Sequence, residues 1–511
     1  MTKQQNLPSP EKARIVFGVP ASLKLRLLLA FFCGALCVLG FAPFNLWPVV
    51  LPGVACLFVL IHAASSSRQG FATGYFFGLG LFGAGVYWVY HSLHLFGAAI
   101  APLAAVGTLL FVMAIALYTG LFAWLAKRIN TGNAVWFLLT TPAMWLMIEW
   151  FRSWFLTGFP WLSLGYLTID TPLAGFAPIG GVFLNSLLVS LCCGALAYMF
   201  VVRRLTSIVV SVAMIAVIAT SGQWLRGVSW TQVSGDSINV EMVQGNISQE
   251  LKFQPNLLDD SLRIYTGLSN LDADLVIWPE SAIPTFFSDV DDWLEPFVEE
   301  ARARGSTVIS GGFHTNADYS EYYNAIKVLG GTDDQVYTKR HLVPFGEFIP
   351  FRNLIKLLAQ VITIPMSDLT PGRGPIEPIA IDGVHYGMSI CYEDAFGNEM
   401  LKQLPKANVL INISNDAWFG DSTAPHQHQQ IAAMRSLEFE RPMLRVTNTG
   451  ITSLISERGE IVQQGPQFET VALNVDVVPR KGSTPFVMVG NWLVVIVALL
   501  MLVFGWTRRL R

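Results

Sequence analysis

Tyr386-Gly387-Met388-Ser389-Ile390-Cys391-Tyr392-Glu393-Asp394 is an apolar run that closes on a thiol and two acids. It reads as a buried strand with Cys391 at its carboxyl end. Cys391 is the only cysteine in the long polar part of the chain. Two upstream segments carry possible partners: Trp278-Pro279-Glu280-Ser281, and Tyr337-Thr338-Lys339-Arg340-His341-Leu342-Val343-Pro344-Phe345-Gly346-Glu347. A carboxylate, an amine and a thiol, each ending an apolar strand, make a complete acyl-transfer set. The carboxylate takes the thiol proton, the ammonium stabilises negative charge, and sulfur attacks a carbonyl.

Around these motifs, from Ser237 onward, short β-rich runs alternate with polar stretches. The runs are Ile238–Val243, Leu275–Trp278, Thr307–Ser310, Ala325–Leu329, Val384–Ile390, Val409–Ile413 and Leu444–Thr447. Asp289–Ala303 and Gln427–Phe439 read as amphipathic helices. Strands alternating with helices over this length predict a layered α/β domain.

The rest of the chain is greasy. Of 511 residues, 52% are hydrophobic and 14% charged, about half the charged share of a typical soluble protein. The apolar residues gather in the first 225 positions and the last 25, which marks membrane spans. Eight candidates stand out: Leu27–Leu39, Val49–Ala64, Phe71–His91, Ala99–Ala126, Ala134–Glu149, Ala174–Val202, Ser207–Trp224 and Val487–Trp506. The division expected is 1–224 for seven transmembrane helices, 225–486 for the catalytic domain, and 487–511 for the eighth helix and its tail.

Lysine and arginine recur on every second connection: Lys3, Lys12, Arg14, Lys24 and Arg26, then Arg68, then Lys127 with Arg128, then Arg203 with Arg204, and finally Arg508, Arg509 and Arg511. That alternation puts both termini in the cytoplasm and the polar domain on the other side. The first span reads as uncleaved, because Phe41-Ala42-Pro43-Phe44 follows it instead of a small-x-small site. Span interiors hold almost no ionisable residues, which weighs against a transporter or pump. The aromatic loop with Trp150, Trp154, Phe155, Phe159 and Trp161 reads either as an interfacial belt or as a lipid-access surface. A net charge of −3 argues against a nucleic-acid partner. Cys33, Cys37, Cys56, Cys192 and Cys193 fall in apolar spans, where small core residues are the plain reading.

Trp-Pro-Glu, Y-x-K-x-H-L-V-P-F-G-E and Cys-Tyr-Glu-Asp in this order resemble the Glu-Lys-Cys triad of the nitrilase superfamily, whose fold is an α-β-β-α sandwich. Three more stretches are more specific: His341–Glu347, Asn412-Ile413-Ser414-Asn415-Asp416-Ala417-Trp418-Phe419-Gly420, and Pro425-His426-Gln427-His428. They resemble the apolipoprotein N-acyltransferase family of bacterial inner-membrane enzymes, and the resemblance covers essentially the whole chain. It implies an eight-helix transmembrane bundle with a periplasmic nitrilase-like domain between the seventh and eighth helices. It also implies a phosphatidylethanolamine-like phospholipid donor, a diacylglyceryl-cysteine apolipoprotein acceptor, and no cofactor. Phe253 departs from the pattern, since many members have tryptophan there; the ring is kept and the indole N–H lost.

Each residue also has a plainer reading. Glu280 is either a solvated strand-end acid or, in the apolar setting of Trp278 and Ile283, a proton shuttle. Lys339 is either a surface lysine or an oxyanion group oriented by Glu347. Cys391 is either a small buried hydrophobe or the nucleophile, with the Tyr392 N–H as second oxyanion donor. Glu347 and Glu393 read as orienting carboxylates, or as ordinary salt-bridge partners. Phe253, Asn324, Trp418 and His426 are expected to line the substrate. His341, His426 and His428 lack a metal-ligand spacing and read as structural or substrate-lining, so no metal is expected. The greasy insertion at 348–366, helical in spacing over Leu354–Ile362, reads as core or as a lid on the membrane surface. The expected reaction is acyl transfer from phospholipid to lipoprotein through a Cys391 thioester. The rivals are a membrane-anchored amidase or nitrilase acting on a small extracytoplasmic amide, and a non-catalytic lipid-binding scaffold.

The charge alternation makes a direct prediction. Single cysteines near Ser269 and Asp318 should react with an impermeant thiol reagent from the periplasmic side, and ones beside Arg128 and Arg204 only from the cytoplasm. Labelling of position 318 from the cytoplasm would invert the topology.

Overall fold

The computed structural model describes residues 22–96, 100–252, 254–331, 335–349 and 368–510. Phe253 and nearly all of the insertion read as a lid (350–367) lie outside the described residues. The chain divides into two units. One is Met1–Tyr87, Ala105–Ser229 and Val489–Arg511; the other is Trp88–Ala104 with Trp230–Met488.

The first unit is helical. Helices stand at all eight places where the apolar runs occur. Among the described residues five are long and apolar enough to cross a bilayer: Leu23–Gly40, Ala101–Arg128, Pro172–Val202, Leu205–Leu225 and Trp492–Arg509. A sixth is reached if Ser67–Gly85 and Val89–Leu95 count as one broken span. By length, then, the count of eight crossings is not met. The helix Trp47–Ala63 is short, and the fifth run is only the π-turn Trp136–Thr140 followed by Thr141–Arg152.

Small residues let these helices approach closely. A carbon added to Gly34 would overlap the Phe77 carbonyl, and one added to Gly80 would overlap that of Phe31. Such contacts supply packing where lipid gives no hydrophobic drive between helices. Arg152 folds the aromatic loop inward by donating to the carbonyls of Phe159 and Trp161, each at 2.6 Å. Trp161 and Tyr166 are therefore buried, while Trp154, Phe155 and Leu156 are exposed. Only the latter group has the wet-and-greasy exposure of an interfacial belt.

Among the described residues the second unit holds fourteen strands in chain order: β1 Thr231–Val233, β2 Ile238–Gln244, β3 Leu275–Ile277, β4 Thr307–Thr315, β5 Tyr322–Val328, β6 Val336–Thr338, β7 Ile379–Ile381, β8 Val384–Ile390, β9 Val409–Ser414, β10 Met443–Thr447, β11 Ser453–Ile455, β12 Ile461–Gln464, β13 Val471–Val477 and β14 Arg480–Gly482. They form two six-stranded sheets, β13-β2-β3-β4-β5-β6 and β12-β11-β10-β9-β8-β7. The pairs β2–β3, β3–β4, β8–β9 and β9–β10 are parallel. β1 pairs with β14, so the unit's entry and exit leave side by side.

The sheets bury a common core. Val240, Met242, Leu275, Ile277 and Ile309 of one sheet share it with Met388, Ile390, Ile411, Ile413 and Leu444 of the other. On the outer face of the first sheet, Val243, Val276 and Val308 alternate outward onto Leu262, Tyr265 and Leu294 of two helices, Leu258–Leu268 and Asp291–Ala303. The helix Ala424–Phe439 belongs to the second sheet's side. The layering is helix, sheet, sheet, helix.

Ala424–Phe439 differs from the amphipathic helix expected. It is buried along its length except at the half-buried His426 and Gln430, and the buried set includes Arg435 and Glu438, which pair at 2.9 Å. A polar helix surface is compatible with full burial when its charges find partners of their own.

Gly311 in β4 lets the chain after β3 pass close by. A Cβ there would meet the Pro279 carbonyl oxygen at 2.6 Å and the Glu280 Cα at 2.8 Å. Gly311→Ala should therefore destabilise the domain by about 1–3 kcal/mol, read as a lower melting temperature in detergent. An unchanged melt would mean that the 278–281 backbone yields freely.

Candidate active site

Three strand ends build the site. β8 stops at Ile390, and Cys391 turns the chain in the left-handed region (φ 53) into the 3-10 turn Cys391–Ala395. β3 leads through Trp278 and Pro279 to Glu280, and Ser281 beyond it is also left-handed (φ 52). Lys339 follows β6 directly, its N–H donating to the Asn324 carbonyl at 2.8 Å. Non-glycine residues with positive φ are strained, and such strain gathers where geometry matters for function.

Glu280, Lys339 and Cys391 are all buried. The Lys339 ammonium donates to Glu347 Oε1 at 2.8 Å and reaches Glu280 Oε1 at 3.5 Å. Asn324 stands between the two carboxylates, its Nδ2 donating to Glu280 at 2.7 Å and to Glu347 at 3.1 Å. Glu347 is tied down in turn by the Val343 N–H at 2.8 Å. Lysine's stronger bond thus goes to Glu347, and Glu280 keeps a looser hold on it.

Burial opposes the charge on Lys339, but Glu347, Glu280 and Cys391 together keep its ammonium well above the ordinary lysine range. Burial pushes the Cys391 thiol up; Glu280 adds to this, and Lys339 only partly offsets it. Cys391 therefore rests as a neutral thiol, and the thiolate forms only as the proton leaves.

Glu393 does not reach the Lys339 side chain as the sequence reading expected. It anchors backbone, accepting the N–H groups of Arg340 (2.6 Å), His341 (3.2 Å) and Ile390 (2.7 Å) and the Tyr337 hydroxyl (3.0 Å). It thereby locks the segment after β6 to the end of β8. Asn324, expected to line the substrate, is the linker between carboxylates. Trp418 is half-buried and accepts Ser92 Oγ on its carbonyl at 2.8 Å. His426 is half-buried, and burial lowers its pKa against the pull of Asp421. The Tyr392 ring packs edge-on against Phe396, with centroids 4.9 Å apart. His341 stacks on Phe396 and bonds Glu399 at 2.9 Å.

Several groups escaped the sequence reading. Lys252 is buried and donates to the Glu280 carbonyl at 3.0 Å. Burial brings its pKa down to about 7, with Glu280 opposing. Its position beside Phe253 was the available signal. Trp88, from the third apolar run, and Ser92, just past its end, group with this unit: Trp88 Nε1 donates to Gln427 at 3.3 Å and its ring lies edge-on to Phe419. Behind Cys391 sit Asp394, Asp416, His428 and Arg445, all fully buried. Arg445 lies in a run that reads as plain core strand. Among the described residues no group of three or more His, Cys, Asp or Glu is arranged to hold a metal ion.

Two family models match the chain. Residues 33–195 match the apolipoprotein N-acyltransferase N-terminal domain, and residues 240–479 match the carbon-nitrogen hydrolase domain. Relatives named apolipoprotein N-acyltransferase match nearly end to end. The one from Vibrio parahaemolyticus is 39% identical, over 94% of this chain and 97% of its own length. Those from Nitrosomonas europaea (39%, covering 94% and 97%) and Pseudomonas syringae (40%, covering 94% and 96%) are as similar.

His428 offers a pH test. Burial and Arg445 lower its pKa, but Asp394 and Asp416 raise it further, to about 9 from an ordinary 6.5. Because the folded value is the higher one, the stabilisation is complete below 6.5 and lost as pH rises through about 9. His428→Gln should flatten the fall in melting temperature across that window in a fluorimetric pH series. An unaltered slope would assign the titration to another group.

Proposed function

The chain belongs to the apolipoprotein N-acyltransferase family, and on that premise we propose that it moves a fatty acyl chain from a membrane phospholipid to the N-terminal α-amine of a diacylglyceryl-cysteine apolipoprotein. Cys391 carries the acyl group between the two. The observation that bears most weight is the buried ammonium of Lys339 held by Glu347 at 2.8 Å with Glu280 at 3.5 Å. This arrangement gives one carboxylate the role of counter-ion and leaves the other to move protons.

In the first half-reaction Glu280 takes the Cys391 proton as sulfur attacks the donor's ester carbonyl. The carbonyl oxygen becomes an oxyanion, stabilised by the Lys339 ammonium and the Tyr392 backbone N–H. The C–O bond breaks, Glu280 returns the proton to the leaving lysophospholipid oxygen, and a thioester remains. In the second, the neutral α-amine attacks the thioester carbon and gives its proton to Glu280. The C–S bond breaks, the amide forms, and the thiolate regains the proton from Glu280. Burial of all three groups keeps water from the thioester. A single carboxylate thus serves as base and acid in each half.

The match of the N-terminal family model, together with relatives that align over the membrane helices as well as the hydrolase domain, favours this reading over a tethered amidase. We place the enzyme in the bacterial inner membrane, with residues 225–486 periplasmic, both termini cytoplasmic, and a phosphatidylethanolamine-like donor. The lysine and arginine alternation supports that orientation.

Intact-mass measurement after incubation with phospholipid, with no acceptor present, is the test. The unaltered enzyme should gain one acyl mass. Cys391→Ser should gain none, because a hydroxyl is far less acidic than a thiol. Glu280→Gln should acylate at least about 10²-fold more slowly and fail to pass the acyl group on. Transfer by Cys391→Ser at the unaltered rate would sink the assignment.

A further inference from the structure

The buried cluster behind Cys391 has a job that the reaction above leaves unassigned. The Cys391 carbonyl oxygen accepts from two fully buried donors, Asn412 Nδ2 of β9 at 3.2 Å and His428 Nε2 of the helix Ala424–Phe439 at 3.2 Å. Nε2 also faces Asp394 Oδ1 at 3.0 Å. Both neighbours of Nε2 are acceptors, so this nitrogen carries the proton whichever form the ring takes.

Arg445 ties the two donors together. Its NH1 donates to Asn412 Oδ1 at 2.6 Å, and its NH2 lies 2.9 Å from both Asp416 Oδ2 and His428 Nδ1. Asp416 Oδ1 lies 3.1 Å from His428 Nδ1 and accepts from Ser414 Oγ at 2.8 Å. Two carboxylates, a guanidinium and an imidazole are thus packed without solvent, an expensive way to fill a core.

The Cys391 carbonyl and the Tyr392 N–H belong to one planar peptide and point in opposite directions. Gripping the oxygen from one side therefore aims the N–H to the other. We propose that His428 and Asn412, locked by Arg445, Asp394 and Asp416, are positioning residues that fix the Cys391–Tyr392 peptide so that its N–H meets the oxyanion. The left-handed φ of 53 at Cys391 is the strained state that the clamp holds in place. This rests on Cys391 being the nucleophile.

The experiment compares two reactions of the same thiol in the full-length, detergent-purified enzyme. Acylation by phosphatidylethanolamine in mixed micelles passes through an oxyanion; alkylation of Cys391 by iodoacetamide, read by peptide mass mapping, does not. His428→Leu and Asn412→Asp should each slow acylation by about 10–100-fold, part of the 10²–10³ lost with a whole oxyanion donor. Cys391 alkylation should stay within about threefold. Acylation at the unaltered rate, or an equal fall in both reactions, would overturn the proposal; the second result would mean general distortion of the site. If His428→Leu does not fold, the near-isosteric Asn412→Asp decides alone. Absence of acylation in the unaltered enzyme would instead overturn the nucleophile assignment, and the clamp with it.

Discussion

A lysine ammonium sealed inside a protein is tolerable only where carboxylates and acceptors surround it, because an unpaired buried charge costs several kcal/mol. Lys339 sets that demand, Glu347 and Glu280 answer it, and the Asn324 amide donates to both carboxylates. Two carboxylates brought this close would repel each other without the ammonium and the Asn324 amide between them. The distances to the two acids are unequal: Glu347 holds the ammonium at 2.8 Å, while Glu280 stands off at 3.5 Å. Removing any member leaves the others buried and uncompensated, so the site is a unit and not a sum.

The two sheets exist, from the site's point of view, to bring strand ends together. β3 and β6 supply Glu280 and Lys339 from one sheet, and β8 supplies Cys391 from the other. The inter-sheet core of Ile277, Ile309, Ile390 and Ile413 holds those ends in place. Glu393 then stitches backbone to backbone across the gap, from Arg340 and His341 to Ile390. Dense packing of this kind transmits small displacements. Gly311 in β4 is one such close contact, since a Cβ there would press on the Glu280 backbone.

Much of the architecture was legible before any coordinates. Alternating apolar runs announced β2, β3, β8, β9 and β10, and those strands appear within a residue or two of the expected limits. Missed were the short or exposed strands β1, β7, β11, β12 and β14, together with β13. β12 shows why: all four of its residues are exposed, so its residues do not alternate between core and solvent, and it is set by its partner. Helices stand at every expected run, while length alone supports five crossings, or six with the bent pair, among the described residues. Apolar composition marks where helices form, but the length crossing a bilayer also depends on breaks, and those at 86–88 and 136–141 arise from backbone geometry.

The sequence alone determined the chemistry on offer. One thiol in the polar region, one carboxylate after a Trp-Pro, and one lysine in a dense motif are choices of residue type, and residue type is what a sequence records. It also determined the membrane embedding, since hydropathy and lysine–arginine counts are sums along the chain. Only the tertiary structure decided the division of labour. That Glu347 holds Lys339 more closely than Glu280 does, that Asn324 links the two acids, and that His428 meets the Cys391 carbonyl all depend on distances between residues 8 to 59 positions apart. Those distances are set by sheet pairing and core packing, and no local pattern of residues encodes them.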